Sequence, residues 1–138
     1  MLFTVNDDSL FNDFFNISND YNNVLDPKEG LTLGNMFKDE YIPYKNYKPR
    51  LLSSNNERDR ELLLIRQLCF AVIDLNLKLD TDPNNRDLFN LFKKYNKELN
   101  ERIENYSLKY NVLDLNYDTK DKYTWYQNPW PWEESKYV

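Results

Sequence analysis

Histidine is absent from this 138-residue sequence, glycine occurs only twice and cysteine only once. Without histidine the chain lacks the commonest general base and the commonest metal ligand. Two glycines are too few for a loop that cradles phosphate groups, and the single Cys69 excludes an internal disulfide. We therefore predict a non-enzymatic protein that needs no cofactor.

Excess positive charge and long apolar runs are also missing. The net charge is −5, from 18 basic and 23 acidic residues, which disfavours nucleic-acid partners because a duplex binder needs a basic face. No apolar run approaches the roughly 20 residues that cross a bilayer, so we predict no membrane partner. Residues 1–8 lack the basic and apolar regions of a signal peptide, and we expect cytosolic synthesis without export.

The N-terminal part divides into an arm, a short helix and a linker. Residues 1–22 are rich in Asn, Asp and Ser without a sustained period, which indicates a flexible arm. A short helix is predicted to begin at Asp26, with Pro27 in the first position and Glu29 completing a capping box. Gly34 is expected to end it in a left-handed conformation. Residues 50–57 read as a linker.

Two long helices are predicted in the C-terminal part. The first runs from near Asn56 to about Leu79 and is apolar on nearly all sides from Leu62 onward, so we expect burial on all sides and Cys69 in the core. For the second, Asp82 is the predicted N-cap, with Pro83 in the first position. This helix extends to about Tyr110 and carries one apolar stripe: Leu88, Leu91, Phe92, Tyr95, Leu99, Ile103, Tyr106 and Tyr110.

The predicted fold class is all-α: an antiparallel two-helix hairpin with a short N-terminal helix and an extended C-terminal tail rich in aromatic residues and proline. One stripe cannot cover a helix that is apolar all round. Either residues 24–49 and the tail fold back over it, or another chain covers it. For Asp74, inside this helix, one alternative is a polar anchor for another segment or subunit. The other is a narrow exposed stripe with Arg66, Lys78 and Asp59.

The tail carries the strongest candidates for partner binding. Pro129 and Pro131 favour an extended, polyproline-like run around Trp130 and Trp132. Tryptophan has a large apolar area and is enriched at interface hot spots. These rings either cap the chain's own hairpin or bind a partner. The full candidate set is Trp125, Pro129, Trp130, Pro131, Trp132, Phe37, Tyr41 and Tyr44.

Two other classes of function remain as alternatives. Asp74, Asp80 and Asp82 are carboxylates within nine positions of one another, as in a metal-binding protein or a metal-dependent enzyme. A generic helical binding module with a regulatory role is the second alternative.

One long segment and the tail together resemble a known family. The run Leu68-Cys69-Phe70-Ala71-Val72-Ile73-Asp74-Leu75-Asn76-Leu77-Lys78-Leu79-Asp80-Thr81-Asp82-Pro83 and the closing Pro129-Trp130-Pro131-Trp132-Glu133 resemble the CotJB spore coat family over residues 58–134. The signature positions within the first run are Asp74, Asn76, Asp80, Thr81, Asp82 and Pro83.

A second, shorter resemblance precedes it. Residues 24–44, with Leu25-Asp26-Pro27-Lys28-Glu29-Gly30-Leu31, Gly34-Asn35-Met36-Phe37 and Tyr41-Ile42-Pro43-Tyr44, are similar to the short motif of the companion coat protein CotJA. We assign residues 23–49 to this motif. With both resemblances the chain is a fusion of two coat components.

The resemblance to CotJB implies a role and a setting. It implies a non-catalytic structural or assembly protein, made in the mother-cell cytoplasm and then deposited in the spore coat. Other coat proteins are the implied partners, foremost a manganese-catalase-like coat protein, and a homo-oligomer is a further alternative. No catalytic residue, cofactor or metal site is carried over from the family.

Overall fold

The computed structural model describes residues 23–117, residues 121–127 and Trp130. Within these residues lie three α-helices: α1 over Pro27–Leu33, α2 over Glu57–Thr81 and α3 over Arg86–Lys109. Short 3-10 turns occur at Lys38–Glu40 and Leu115–Tyr117. The predicted all-α fold is confirmed. The following predictions lie outside the described residues: the arm 1–22, Pro129, Pro131 and Trp132.

Helix α1 begins and ends where the sequence predicts. The carboxylate of Asp26 accepts hydrogen bonds from the backbone N–H groups of Lys28 at 2.8 Å and Glu29 at 3.0 Å, so Asp26 is the N-cap. Gly34 follows the helix at φ 75° and ψ 23°, the left-handed conformation that glycine adopts without steric cost. Its N–H donates to the carbonyl of Gly30. Both ends of α1 are therefore capped by local residues.

Helix α2 begins close to the predicted position but is not buried on all sides. The side chain of Asn56 accepts from the backbone N–H of Asp59 at 2.8 Å and caps the helix. The buried side chains lie on one face and comprise Ile65, Gln67, Leu68, Ala71 and Leu75.

The prediction of burial all round α2 is wrong. Ile73 and Leu77 are exposed, and Cys69, predicted in the core, is exposed as well. The reason is that both neighbouring helices pack on the same side: α3 contributes one stripe and α1 only two turns. The opposite face of α2, with Cys69, Ile73 and Leu77, remains exposed.

The turn between the long helices differs from the prediction. Asp82 does not cap α3; its N–H donates to the carbonyl of Lys78 and ends α2. The N-cap of α3 is Asn85, whose side-chain oxygen accepts from the backbone N–H of Leu88 at 3.0 Å. Pro83 lies in the turn rather than in the helix. The chain needs these residues to reverse direction between two antiparallel helices, which moves the start of α3 by three positions.

The hairpin core confirms the predicted stripe of α3. Early residues of α2 contact late residues of α3, as the pairing of Ile65 and Leu68 with Leu99 and Tyr106 shows, so the helices are antiparallel. Around the open end of the hairpin, three polar contacts join the helices: Arg58 to the Tyr106 hydroxyl at 3.1 Å, Arg102 to Glu61 at 3.3 Å and Lys109 to Glu57 at 2.7 Å.

The N-terminal module, residues 23–40, covers part of α2 near the turn. Met36 is fully buried, and Met36 and Phe37 pack in one cluster with Ala71 and Leu75. Two alternatives were given for covering α2: the chain's own residues or another chain. For this part of α2, the chain's own N-terminal module provides the cover. After α3, Val112 is buried and Leu113 packs on the other end of the hairpin core.

Gly30 should not tolerate a side chain, although it lies inside a helix. A Cβ there would clash with Sδ of the fully buried Met36 and lie 3.3 Å from its Cγ. Alanine normally stabilises a helix interior relative to glycine by about 0.5–1 kcal/mol. We expect Gly30→Ala to lower the free energy of unfolding by about 1–3 kcal/mol instead, because the site becomes overpacked. Chemical denaturation measures this difference.

The control for this prediction is a double-mutant cycle with Met36→Ala. Removing the Met36 side chain makes room for the added methyl group, so Gly30→Ala should cost much less in that background. An equal cost in both backgrounds would contradict the proposed contact.

Candidate partner-binding surfaces

Asp74 holds the N-terminal module on α2. Its Oδ2 accepts a hydrogen bond from the backbone N–H of Met36 at 2.8 Å, across 38 positions of sequence. Of the two alternatives for this carboxylate, the geometry corresponds to the polar anchor for another segment. The bond satisfies an N–H beside a fully buried side chain, where an unpaired donor would be costly.

A second set of contacts fixes Phe37 and the chain that leaves it. Lys78 Nζ lies 5.4 Å from the centre of the Phe37 ring, a cation–π geometry. The same ammonium group forms an ion pair with Glu40, and the hydrogen bond to Glu40 raises the pKa of Lys78. The pair joins α2 to the 3-10 turn that follows Phe37.

The two edges of the module are joined by backbone pairing. Val24 and Phe37 form an isolated antiparallel bridge, with Leu25 N–H donating to the carbonyl of Met36 at 2.8 Å and Lys38 N–H donating to that of Asn23 at 3.0 Å. Asn35 also accepts from the N–H of Phe37 at 2.7 Å. These bonds fix the direction in which the chain enters residues 41–51.

The 41–51 segment exposes apolar side chains next to this fixed module. Ile42 is 84% and Tyr44 83% exposed, and Tyr47 and Leu51 are also exposed. Pro43 restricts Ile42 to an extended conformation, and Tyr47 N–H donates to the carbonyl of Tyr44 to form a turn. Clustered exposed apolar residues on one segment are typical of a binding surface.

The second aromatic surface lies after α3. The rings of Trp125 and Trp130 are 6.2 Å apart with 30° between their planes, and those of Tyr123 and Tyr126 are 6.1 Å apart. Gln127 N–H donates to the carbonyl of Thr124 at 2.9 Å, which turns the chain between these rings. Trp125 and Trp130 are half-buried, whereas both tyrosines are exposed.

The predicted site residues therefore separate into different environments. Phe37 lies in the core and Tyr41 is half-buried, whereas Tyr44 is exposed. Sequence reasoning missed Ile42 as a candidate. Pro43 indicates an extended conformation at Ile42, but the exposure of the Ile42 side chain depends on packing between distant parts of the chain.

The carboxylates of the metal alternative do not assemble into a site among the described residues. No group of three or more His, Cys, Asp or Glu side chains that could hold a metal ion occurs in residues 23–117, 121–127 or at Trp130. Asp74 binds the Met36 amide, Asp80 is exposed on α2, and Asp82 accepts from the side-chain amide of Asn85 at 3.0 Å.

The remaining signature residues lie at or near the end of α2. Asn76 is exposed on the helix, and Pro83 is exposed in the turn. The Thr81 hydroxyl donates to the carbonyl of Lys78 at 2.8 Å. Thr81 and Pro83 lie where the helix ends and the chain reverses, while Asp74 provides the anchor.

Glu29 is a buried acid within the N-terminal module. Only 3% of its surface is exposed, and among the described residues its Oε1 has no hydrogen-bond partner. Burial raises the pKa of Glu29, and the nearby carboxylate of Asp26 raises it further. The predicted capping box is therefore realised through Asp26, while the Oε1 of Glu29 bears a desolvation cost.

Comparison with known proteins gives one family. The family model described as CotJB protein matches residues 59–133. No curated protein and no solved structure gives a significant match. Within the described residues, no helix is long and apolar enough to cross a membrane.

Glu29→Gln should change stability in a pH-dependent way. Because the folded pKa of Glu29 is raised, the wild type loses stability relative to the variant as pH rises from the ordinary value of 4.5 through the folded pKa. We expect the melting temperature of the variant, minus that of the wild type, to increase from pH 4 to pH 7.

Glu57→Gln is the control of opposite sign. The hydrogen bond from Lys109 lowers the pKa of Glu57, so the wild type gains stability relative to this variant as pH rises through the lowered pKa towards the ordinary value. Parallel pH trends for the two variants would contradict the assignment of Glu29.

Proposed function

The chain belongs to the CotJB family of spore coat proteins, and from that premise we propose that it is a non-catalytic assembly component that binds other coat proteins. The family is generally a structural family of the coat. We propose synthesis in the mother-cell cytoplasm followed by deposition in the coat. The observation that carries the binding role is the exposed 41–51 segment beside an anchored module.

The physical case for binding rests on exposed area and prior ordering. Ile42 and Tyr44 are more than four-fifths exposed. A partner that covers them therefore gains about 25 cal/mol of binding free energy per Å² of apolar area buried. The segment starts directly after the anchored Phe37 and Lys38–Glu40 turn. Less conformational freedom is then lost on binding than from an unattached peptide.

We propose a manganese-catalase-like coat protein as the first partner, as the resemblance to CotJB implies. Trp125 and Trp130 supply a second contact for it. Their rings are already paired and half-buried, so they present a stiff aromatic surface rather than separate flexible side chains.

We further propose that residues 23–49 act as a CotJA-like module joined to the CotJB-like region. Support comes from the contacts of the module: its buried Met36 and Phe37 complete the core of α2, and Asp74 accepts from Met36. In separate chains the same contacts would form an interface between two proteins. The fusion would replace that interface by an intramolecular one.

Co-purification tests the binding role. With the manganese-catalase-like protein co-expressed as bait, we expect Ile42→Ser/Tyr44→Ser to reduce recovery about tenfold or more, since exposed anchors dominate interface energies. Trp125→Ala/Trp130→Ala tests the second surface separately. The matched control is Leu108→Ser, because Leu108 is an exposed apolar residue on α3. Undiminished recovery of both double variants would remove the two surfaces from the proposal.

A cleavable linker tests the module. With a protease site inserted between Ser53 and Ser54, cleavage of the folded chain should leave both pieces together in size-exclusion chromatography, because the core contacts persist. Asp74→Ala should release the module, since an unpaired buried N–H costs about 1–3 kcal/mol. Asp80→Ala, an exposed aspartate on the same helix, should not. Equal behaviour of the two variants would contradict the anchoring role.

A further inference from the structure

The exposed residues of α2 form one continuous stripe. Between Leu62 and Asp80 they are Arg66, Cys69, Ile73, Asn76, Leu77 and Asp80. Arg66, Cys69, Ile73, Leu77 and Asp80 are three or four residues apart and lie on one face of the helix, as in the contact seam of a coiled coil, with Asn76 directly beside Leu77. This face lies opposite the buried Leu68, Ala71 and Leu75.

The centre of the stripe is apolar. Ile73 is 55% and Leu77 58% exposed, and Cys69 is exposed one turn before Ile73. Neither α1 nor α3 reaches this face, because both pack on the buried side. It is also separate from the 41–51 segment and from the C-terminal aromatic rings in sequence.

Apart from Asn76, whose mirror position holds the half-buried Phe70, the stripe is symmetric in position and antisymmetric in charge about Ile73. Cys69 and Leu77 lie four residues on either side of Ile73. Arg66 and Asp80 lie seven residues on either side, about 10 Å from it at 1.5 Å per residue. The stripe has a cation at one end and an anion at the other, at equal distances from Ile73. Two copies of it placed antiparallel therefore bring opposite charges together at both ends.

From this arrangement we propose that a second copy of the chain packs antiparallel on α2, about a twofold axis at Ile73. Ile73 then meets its counterpart, Cys69 of each copy lies against Leu77 of the other, and Arg66 of each faces Asp80 of the other. Such an interface presents the same patch on both subunits, as a twofold axis requires.

Charge selects the antiparallel arrangement over the parallel one. In a parallel pair Arg66 would face Arg66 and Asp80 would face Asp80, and like charges at such positions are destabilising. The antiparallel pair turns both contacts into ion pairs. The proposal is independent of the coat partner, since none of its residues belongs to the two surfaces assigned above.

Cysteine trapping in the full chain tests the geometry. In the antiparallel pair the two Cys69 residues are eight residues apart along the axis, about 12 Å, beyond the roughly 7 Å between Cα atoms that a disulfide spans. Wild type should therefore not cross-link under mild oxidation. Ile73→Cys in a Cys69→Ser background should, and so should Leu77→Cys with Cys69 retained.

The matched control is Leu108→Cys in the Cys69→Ser background, because Leu108 is an exposed apolar residue on α3. It should trap only at the background level of random collisions. Cross-linking of the wild type through Cys69 would indicate a parallel pair and overturn the proposal. Disulfide cross-linking of Ile73→Cys no greater than that of the control would overturn the proposal as well. The stripe would then not be an interface between two copies of this chain.

A charge swap tests the ion pairs without relying on the added cysteine alone. In the Ile73→Cys/Cys69→Ser background, Arg66→Asp replaces two attractive contacts by two repulsive ones and should lower the trapped fraction about tenfold. The double swap Arg66→Asp/Asp80→Arg should restore trapping. Circular dichroism checks that each variant keeps its helix content, and failure of the double swap in a folded protein would contradict the pairing.

Discussion

One hydrogen bond determines where the N-terminal module lies. Asp74 is a carboxylate within an otherwise apolar stretch of α2, and it accepts from the backbone N–H of Met36 at 2.8 Å. The bond brings Met36 and Phe37 over Ala71 and Leu75 and leaves the carboxylate with a fixed partner. Because a hydrogen bond is directional, it sets the register of the module on the helix more sharply than apolar contact does.

With the module anchored in this way, the two sides of α2 lie in different environments. The side that faces α1 and α3 becomes the core, while the stripe around Ile73 remains exposed. The same module directs the chain into the 41–51 segment, whose apolar side chains are not covered. The described residues thus present several exposed apolar surfaces beside the core, which supports the proposed binding role.

Local chemistry made several elements predictable. Asp26, Pro27 and Gly34 specify α1 because capping and left-handed turns depend on residues close in sequence, and the stripe of α3 follows from its period. The start of α3 was misplaced, because Asp82 and Asn85 are both good caps and only the geometry of the reversal chooses between them. Ile42 was missed because the exposure of its side chain depends on distant packing.

The sequence by itself determined the helices, their antiparallel hairpin and the family, since period, capping and signature residues are local properties. Only the tertiary structure decided which face of α2 is buried. When a helix is apolar on nearly all sides, its sequence pattern does not indicate which face is buried. The neighbouring elements that pack on the helix decide it. One side is covered by the stripe of α3 and by Met36, whose N–H donates to Asp74. On the other side Cys69, Ile73 and Leu77 remain exposed.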